Sequence, residues 1–416
     1  MHNLHIGSLS DFIMARISQK RLAVVVAIGI IAVNIGSIFY GLYYPQLYIY
    51  ARDYHREPYT GTYVYYLDSS EYYEDHWDTI YDDLEDMANV ILLSAKATSL
   101  DQGANMPFDE TALQRIKNME SNITSRNMQV IIHLYCTHAI PTWVEENSTE
   151  AYVKNGYRIQ YPPDDWTYWS YMENYTRFVA NFFKDTDMIM GYCMADEPNT
   201  IQYAELLGNM SDWIKDEDPQ AQTTVMLNEV DFYETYEPFC DFFSVDPYQD
   251  DQDFARSLKR ARDVTDKKLI VLQSGMGDDD NLMYMRMRRQ AWIAWFMGAD
   301  QIWFWSYNIY WESGMRQDEV NTWHVCRWDS INNQTIRTSK GDAAVEIKRD
   351  VLLLSQIDGY LFNETGDPAI KSNINELQIR AYRYVMNNNF LKARLLITEA
   401  VMILNGISNY GNTGGL

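Results

Sequence analysis

The sequence predicts an α/β protein, a (β/α)8 TIM barrel preceded by an N-terminal transmembrane helix and followed by a small C-terminal antiparallel β appendage. Three observations lead there. Eight short apolar runs recur between residues 61 and 357, separated by longer segments with helical periodicity, the pattern of βαβ units around a parallel sheet. Eight such units suit a closed barrel, and the Gly-x-Gly-x-x-Gly that a dinucleotide-binding open sheet would carry after its first strand is missing. Finally, Leu22 to Tyr43 is an almost unbroken apolar run, and about 20 such residues cross a bilayer.

Residues 1–21 read as a cytoplasmic tail, because Arg16, Lys20 and Arg21 stand just before the apolar run and basic flanks stay inside. Residues 22–43 are then an uncleaved anchor: the run is long for a signal peptide and no clear Ala-x-Ala site follows it. A Tyr-rich juxtamembrane linker, residues 44–60, leads to a domain outside the cell. The chain carries a formal net charge of −24. Residues 1–43 contain three basic residues and one acidic residue, so the excess of acid lies in the outer part, which makes nucleic acid and anionic lipid poor partners. Sequons at Asn122, Asn147, Asn174, Asn209, Asn333 and Asn363 suit an exported glycoprotein. Cys136, Cys193, Cys240 and Cys326 are too widely spaced for a metal site or a small disulfide scaffold, although one or two disulfides would be compatible with an extracellular setting. No motif for a cofactor is present, and the seven-residue separation of Gly29 and Gly36 does not make a Gly-x-x-x-Gly dimer face, which leaves the oligomeric state open.

The barrel strands are predicted at Thr62 to Leu67, Val90 to Ala95, Gln129 to Tyr135, Met188 to Met194, Thr223 to Leu227, Phe242 to Val245, Lys268 to Leu272 and Gln301 to Trp305. Helices are predicted at Thr111 to Ser125, Trp169 to Phe183, Gln202 to Lys215, Asp253 to Val264, Asn281 to Met297 and Ala343 to Gln356. Asp278-Asp279-Asp280 reads as a solvated cap for the helix that follows it, since the rest of a calcium loop is missing. Beyond the barrel, residues 358–410 are predicted as the β appendage: Leu377 to Val385 and Phe390 to Thr398 form a hairpin around Asn387-Asn388-Asn389, with Val401 to Leu404 as a third strand. A helical hairpin is the competing reading there. Residues 411–416 read as a loose tail.

In such a barrel the chemistry gathers where the strands end. The residues at those places are Asp68, Lys96, His133, Tyr135, Asp196, Glu197, Asn228, Glu229, Asp246, Tyr248, Gln273, Trp305 and Tyr307. Rings stack on the apolar faces of sugars while amides and carboxylates bind hydroxyls, so this set suits a carbohydrate cleft. Trp143, Trp166, Trp169, Trp311 and Trp323 fall on the same side and would extend it. His133 and His138 are too isolated to indicate a metal. The sequence has no phosphate loop, Gly-x-Ser-x-Gly elbow or His-Glu-x-x-His, which argues against nucleotide hydrolysis, serine esterase and zinc peptidase chemistry.

Three segments stand out: Ala195-Asp196-Glu197-Pro198 closes strand four, Ser244-Val245-Asp246-Pro247-Tyr248 closes strand six, and Lys268 to Ser274 closes strand seven, ahead of Arg286, Arg288, Arg289 and then Gly298 to Tyr307. In order and spacing this resembles the clan A glycoside hydrolases, and more closely the glycosidase-like barrels with Asp-Glu-Pro, Asp-Pro-Tyr and a strand-seven Gln, over roughly Gly61 to Ile357. The resemblance implies a glycoside hydrolase with Glu197 as general acid, and the apolar run with its basic flank makes it membrane-anchored and extracytoplasmic, acting on cell-surface or extracellular glycans. The resemblance also implies a departure, because Gln273 stands where the family has its nucleophilic Glu, and an amide cannot replace that carboxylate. Three routes remain open. Asp246, Glu229 or Asp68 could serve as base for an inverting water. A 2-acetamido substrate could supply its own nucleophile, oriented by Asp196. Or the barrel is catalytically inactive and serves as a glycan-binding or structural cell-surface protein.

Overall fold

The structure, a computed structural model, describes residues 59–64, 77–95, 97–103, 106–134, 136, 140–147, 154–155, 158–159, 166–198, 200–273, 280–307, 325–329, 334–361 and 366–406. The chain divides into two compact units, Met1–Leu47 and Tyr48–Leu416, and every described residue belongs to the second. The predicted tail, anchor and most of the linker lie outside the described residues. Among those that are described, no helix is long and apolar enough to cross a membrane.

Eight parallel strands close a barrel: β1 (Tyr59–Val64), β2 (Val90–Ser94), β3 (Gln129–His133), β4 (Ile189–Asp196), β5 (Thr223–Leu227), β6 (Phe242–Val245), β7 (Lys268–Gln273) and β8 (Gln301–Phe304), with β8 pairing back onto β1. All eight predicted strands are present. β5 and β6 match end to end, and β1 begins three residues before its prediction, taking in Tyr59, Thr60 and Gly61 ahead of the apolar run. The helices alternate with them: α1 (Trp77–Met87), α2 (Thr111–Asn118), α3 (Glu120–Ser125), α4 (Trp166–Phe183), α5 (Ala204–Glu217), α6 (Asp251–Val264), α7 (Asp280–Phe296) and α8 (Ser339–Leu361).

Val90, Leu92, Ile131, Cys193, Met226, Phe242, Ile270, Leu272 and Trp303 fill the barrel interior, so it is a packed core rather than a pore. Gly61 makes room for the largest of these: a Cβ there would come within 2.6 Å of the Trp303 indole. The foot of the barrel is secured by charge. Arg262 Nη2 and Asp300 Oδ2 stand 2.9 Å apart with both side chains buried, Leu269 N–H donates to the same Asp300 oxygen at 2.8 Å, and Arg262 Nη1 donates to the Lys267 carbonyl at 2.7 Å. The four cysteines are buried free thiols, so neither of the disulfides considered from the sequence is formed.

The predicted C-terminal β appendage is corrected to a helical pair, α9 (Pro368–Met386) and α10 (Phe390–Leu404). The buried residues of α9, Ile374, Leu377, Gln378, Ala381, Tyr382 and Val385, recur at three- and four-residue steps, the helical period that the mixture of aromatic and β-branched residues disguised. Pro368 opens α9, and Asp367 caps it by accepting from Ala369 N–H at 2.8 Å. The asparagine corner turns the chain with Asn388 in the left-handed region at φ 57°, while Asn389 accepts from Lys392 N–H to cap α10. The pair docks on α7 and α8 through Asp350, which is 1% exposed and accepts from Arg288 at 2.6 Å, Trp292 Nε1 at 3.1 Å and Arg394 Nε at 2.7 Å. Arg288 also lies over the Phe390 ring at 4.3 Å. The antiparallel pairs among the described residues lie elsewhere, at Lys154–Asn155 with Arg158–Ile159 and at Cys326–Asp329 with Gln334–Arg337.

Candidate active site

Strand β4 determines what the mouth of the barrel contains. Cys193 pairs with Thr224 and Ala195 with Val225, so Met194 is a bulged residue without a partner on β5. Side chains alternate along a strand, and one extra residue reverses the alternation. Asp196 consequently falls in register with Met226, on the inward face that Cys193 and Met226 share. Two further inward positions lie across β5 and β6, since Phe242 faces the core and the same parity carries Ser244 and then Asp246. Ser244 Oγ and Thr224 Oγ1 lie 2.6 Å apart beneath the rim.

Glu197 follows directly. Its N–H donates to the Met226 carbonyl at 2.9 Å, which keeps its backbone attached to β5, and its φ of 47° turns the chain out of the strand into Pro198. The left-handed region is unfavourable by about 1 kcal/mol for a residue with a Cβ, so the surrounding bonds must hold it there. Asp246 is fixed in the same manner, its N–H donating to the Leu227 carbonyl at 2.8 Å. Asp196, Glu197 and Asp246 are 4%, 8% and 1% exposed, so three carboxyl groups are buried at the carboxyl ends of β4 and β6. Their influence reaches their neighbours. Burial pushes the Cys193 thiol well above its ordinary range and the Asp196 charge adds to this, while burial followed by the charges of Asp246 and Glu229 raises the Tyr233 phenol.

The remaining predicted residues divide. His133 is fully buried, ends β3 in register with Cys193, and lies beside Ser94 across β2. Trp305 is half-buried against the inner core, Tyr307 is buried, and the Trp305–Ser306 peptide is cis. Asn228 is half-buried, Glu229 is exposed, and Tyr248 is 43% exposed at the rim. Asp68, Lys96, Tyr135, His138, Trp311 and Trp323 lie outside the described residues.

Gln273 is in register with Phe304, on the parity opposite to the inward Leu272 and Trp303, and its Nε2 donates to the Met287 carbonyl of α7 at 3.3 Å. In this arrangement the side chain ties the end of β7 to its outer helix. Sequence reading missed Ser94 and Tyr233. Ser94 had a signal, as the polar residue that closes an apolar run on inward parity, whereas Tyr233 sits in a short helix whose neighbours only the fold reveals. Among the described residues, no three His, Cys, Asp or Glu side chains gather as a metal site would require.

No protein-family model matches the chain, and no curated protein matches its sequence. Similarity appears in solved structures. The GH5_18 protein of Streptomyces cattleya, in complex with GlcNAc, aligns at 11% identity and TM-score 0.56 over 72% of this chain and 81% of that one. The exo-β-1,4-mannosidase Op5Man5 of the Opitutaceae bacterium strain TAV5 aligns at 12% identity and TM-score 0.53, over 72% of this chain and 60% of that one. A β-galactosidase of the psychrophilic Marinomonas ef1 aligns at 10% identity and TM-score 0.56, over 72% and 60% respectively. The matched region therefore spans under two thirds of the mannosidase and the β-galactosidase. At these identities the likeness is one of fold: the chain shares a closed eight-stranded (β/α)8 barrel with these proteins.

Proposed function

We propose that this protein is a glycoside hydrolase that cleaves O-glycosyl bonds in cell-surface or extracellular glycans, anchored by residues 22–43 with its barrel on the extracytoplasmic side. The observation that carries the reading is the burial of Asp196, Glu197 and Asp246 at the ends of β4 and β6, in a closed eight-stranded barrel like that of solved glycoside hydrolases. Glu197 is assigned as the acid that protonates the departing glycosidic oxygen. Asp246 takes the proton of a water attacking the anomeric carbon from the other face, and Asp196 holds a substrate hydroxyl or amide. Asp246 stands two strands from Glu197, about 10 Å at the backbone, since neighbouring strands run about 4.8 Å apart. A base that activates water in this way implies inversion, in which the two carboxyls stand about 6.5–9.5 Å apart.

One observation favours a second reading, a barrel that binds glycans without cleaving them. The strand-seven position expected to supply a nucleophile is an amide bonded to α7. The experiment that separates the two is hydrolysis of aryl glycosides, including 2-acetamido sugars, by the full chain in detergent. NMR of the first-formed anomer and the Glu197→Gln and Asp246→Asn variants accompany it. Turnover with inversion that is lost in both variants supports the enzyme. Glycan binding without turnover on the whole panel supports the binding protein.

A further inference from the structure

Beside the barrel mouth, the connections after β2 and β3 and the first turns of α4 enclose a cavity of about 540 Å3, lined by none of the three buried acids. Small-molecule sites run from about 300 to 1,000 Å3, so the space is adequate for a sugar unit. Its aromatic wall is firmly built. Trp143 Nε1 donates to both oxygens of Asp101 at 2.9 Å, and its indole meets Tyr171 edge-on at 5.7 Å between ring centres. Phe108 rests against Tyr171 at 5.8 Å, and the Tyr171 hydroxyl donates to the Ala97 carbonyl at 3.3 Å.

Trp166, at the start of α4, lines the same cavity with 82% of its surface exposed. Ser170 and Asn174 follow it at four-residue steps on the same helix face and bring a hydroxyl and an amide to the lining, and Asp101 brings a carboxylate. Burial, and then the charge of Asp101, hold the Tyr171 phenol well above its ordinary range, so it stays neutral. Among the described residues the lining holds one acid and no Lys, Arg or His, a poor site for phosphates and nucleotides. An indole face beside uncharged hydrogen-bonding groups matches a pyranose, with its apolar C–H face and its ring of hydroxyls.

We propose that this cavity is a second glycan-binding site, in which a neutral sugar residue stacks on Trp166 and hydrogen-bonds to Asp101, Ser170 and Asn174. The ligand class rests on the glycan reading of the barrel, but the site is separate from Glu197 and its occupancy does not require turnover. It would hold one part of a long glycan while another part enters the mouth.

The test is titration of the full chain, in a detergent without a sugar headgroup, with chitohexaose, mannohexaose, cellohexaose and choline, read by calorimetry and tryptophan fluorescence. At least one hexasaccharide is expected to bind, and Trp166→Ala to weaken it about tenfold or more, as truncation of a hot-spot aromatic does. Glu197→Gln is expected to leave that Trp166-dependent binding in place. Asn174→Gln, which removes the sequon and keeps an amide, is expected to bind within about threefold of the parent, the scale of a minor contact. Because Trp166 is exposed, its removal should leave the unfolding temperature unchanged, so lost binding would not reflect lost fold. Saturable binding of choline in preference to every sugar, sugar binding indifferent to Trp166→Ala, or no binding by any hexasaccharide would each overturn the proposal. Trp166-dependent binding without hydrolysis would sustain this site while refuting the enzyme, and hydrolysis with no effect of Trp166→Ala on binding would do the reverse.

Discussion

At the foot of the barrel, Arg262 meets Asp300 one to one, and its two terminal nitrogens also donate to the Lys267 and Gly298 carbonyls. At the mouth, Asp196, Glu197 and Asp246 are buried within the span of three adjacent strands, acids of one sign brought together. The first arrangement satisfies a buried charge and serves folding. The second buries acids at the end of the barrel where chemistry gathers in this fold. The comparison teaches that burial of charge alone does not identify a candidate site; the end of the strand on which the charge sits must be read with it.

The largest expected effect falls at the foot. Asp300→Ala leaves Arg262 buried and uncompensated, and should lower stability by about 3–5 kcal/mol in chemical denaturation. A loss under about 1 kcal/mol would show that the foot does not depend on this pairing and would remove its contrast with the mouth. Glu197→Gln should do the reverse: a fall of about 100- to 10,000-fold in glycoside turnover, with unfolding free energy equal to or above that of the parent. If Glu197→Gln instead destabilises the barrel as strongly as Asp300→Ala, the mouth acids are structural and the contrast between the ends disappears.

Smaller effects sharpen the picture between the two ends. Gly61→Ala drives a methyl into the Trp303 indole and should cost about 1–3 kcal/mol, measured as a lowered unfolding midpoint. Glu346 stands further out, where α8 meets α10. Burial pushes its carboxyl up, but the hydrogen bond and charge of Arg394, with Arg288 and Arg349 behind them, hold it below the usual carboxylate value. A depressed carboxyl contributes stability that is present above its unfolded-state value, about 4.3, and is lost as pH falls through its folded value. The wild type should therefore lose stability relative to Glu346→Gln on acidification below about pH 4, by less than about 1 kcal/mol because the pair is partly exposed.

The sequence made the barrel legible because buried parallel strands are short, apolar and regularly spaced, and all eight stand within three residues of where those runs place them. The strand-end positions of Asp196, with Glu197 directly after it, and of Asp246 were legible for the same reason, as the first acids after an apolar run. The inward or outward parity of a strand end was not. Gln273 looks like a mouth residue in one dimension, yet it is bonded to α7 because Leu272 takes the inward place before it. The C-terminal pair failed differently. In Leu377 to Val385, Ile379, Tyr382, Tyr384 and Val385 supply β-forming side chains, and only burial against α7 and α8 selects the helical period.

The unpaired Met194 can be considered as a phase shift. A strand is a wave of period two, and one inserted residue inverts everything downstream of it. Removing Met194 alone would bring Cys193 and Ala195 into regular succession and leave Asp196 opposite Met226 on the inward face, whereas one residue inserted between Ala195 and Asp196 would turn the acid outward while leaving the Asp-Glu-Pro tripeptide intact as text. For the same reason, an ungapped alignment of this strand with an unbulged one would set the inward acid of one protein against the outward neighbour of the other, and a shared motif would then conceal a different site.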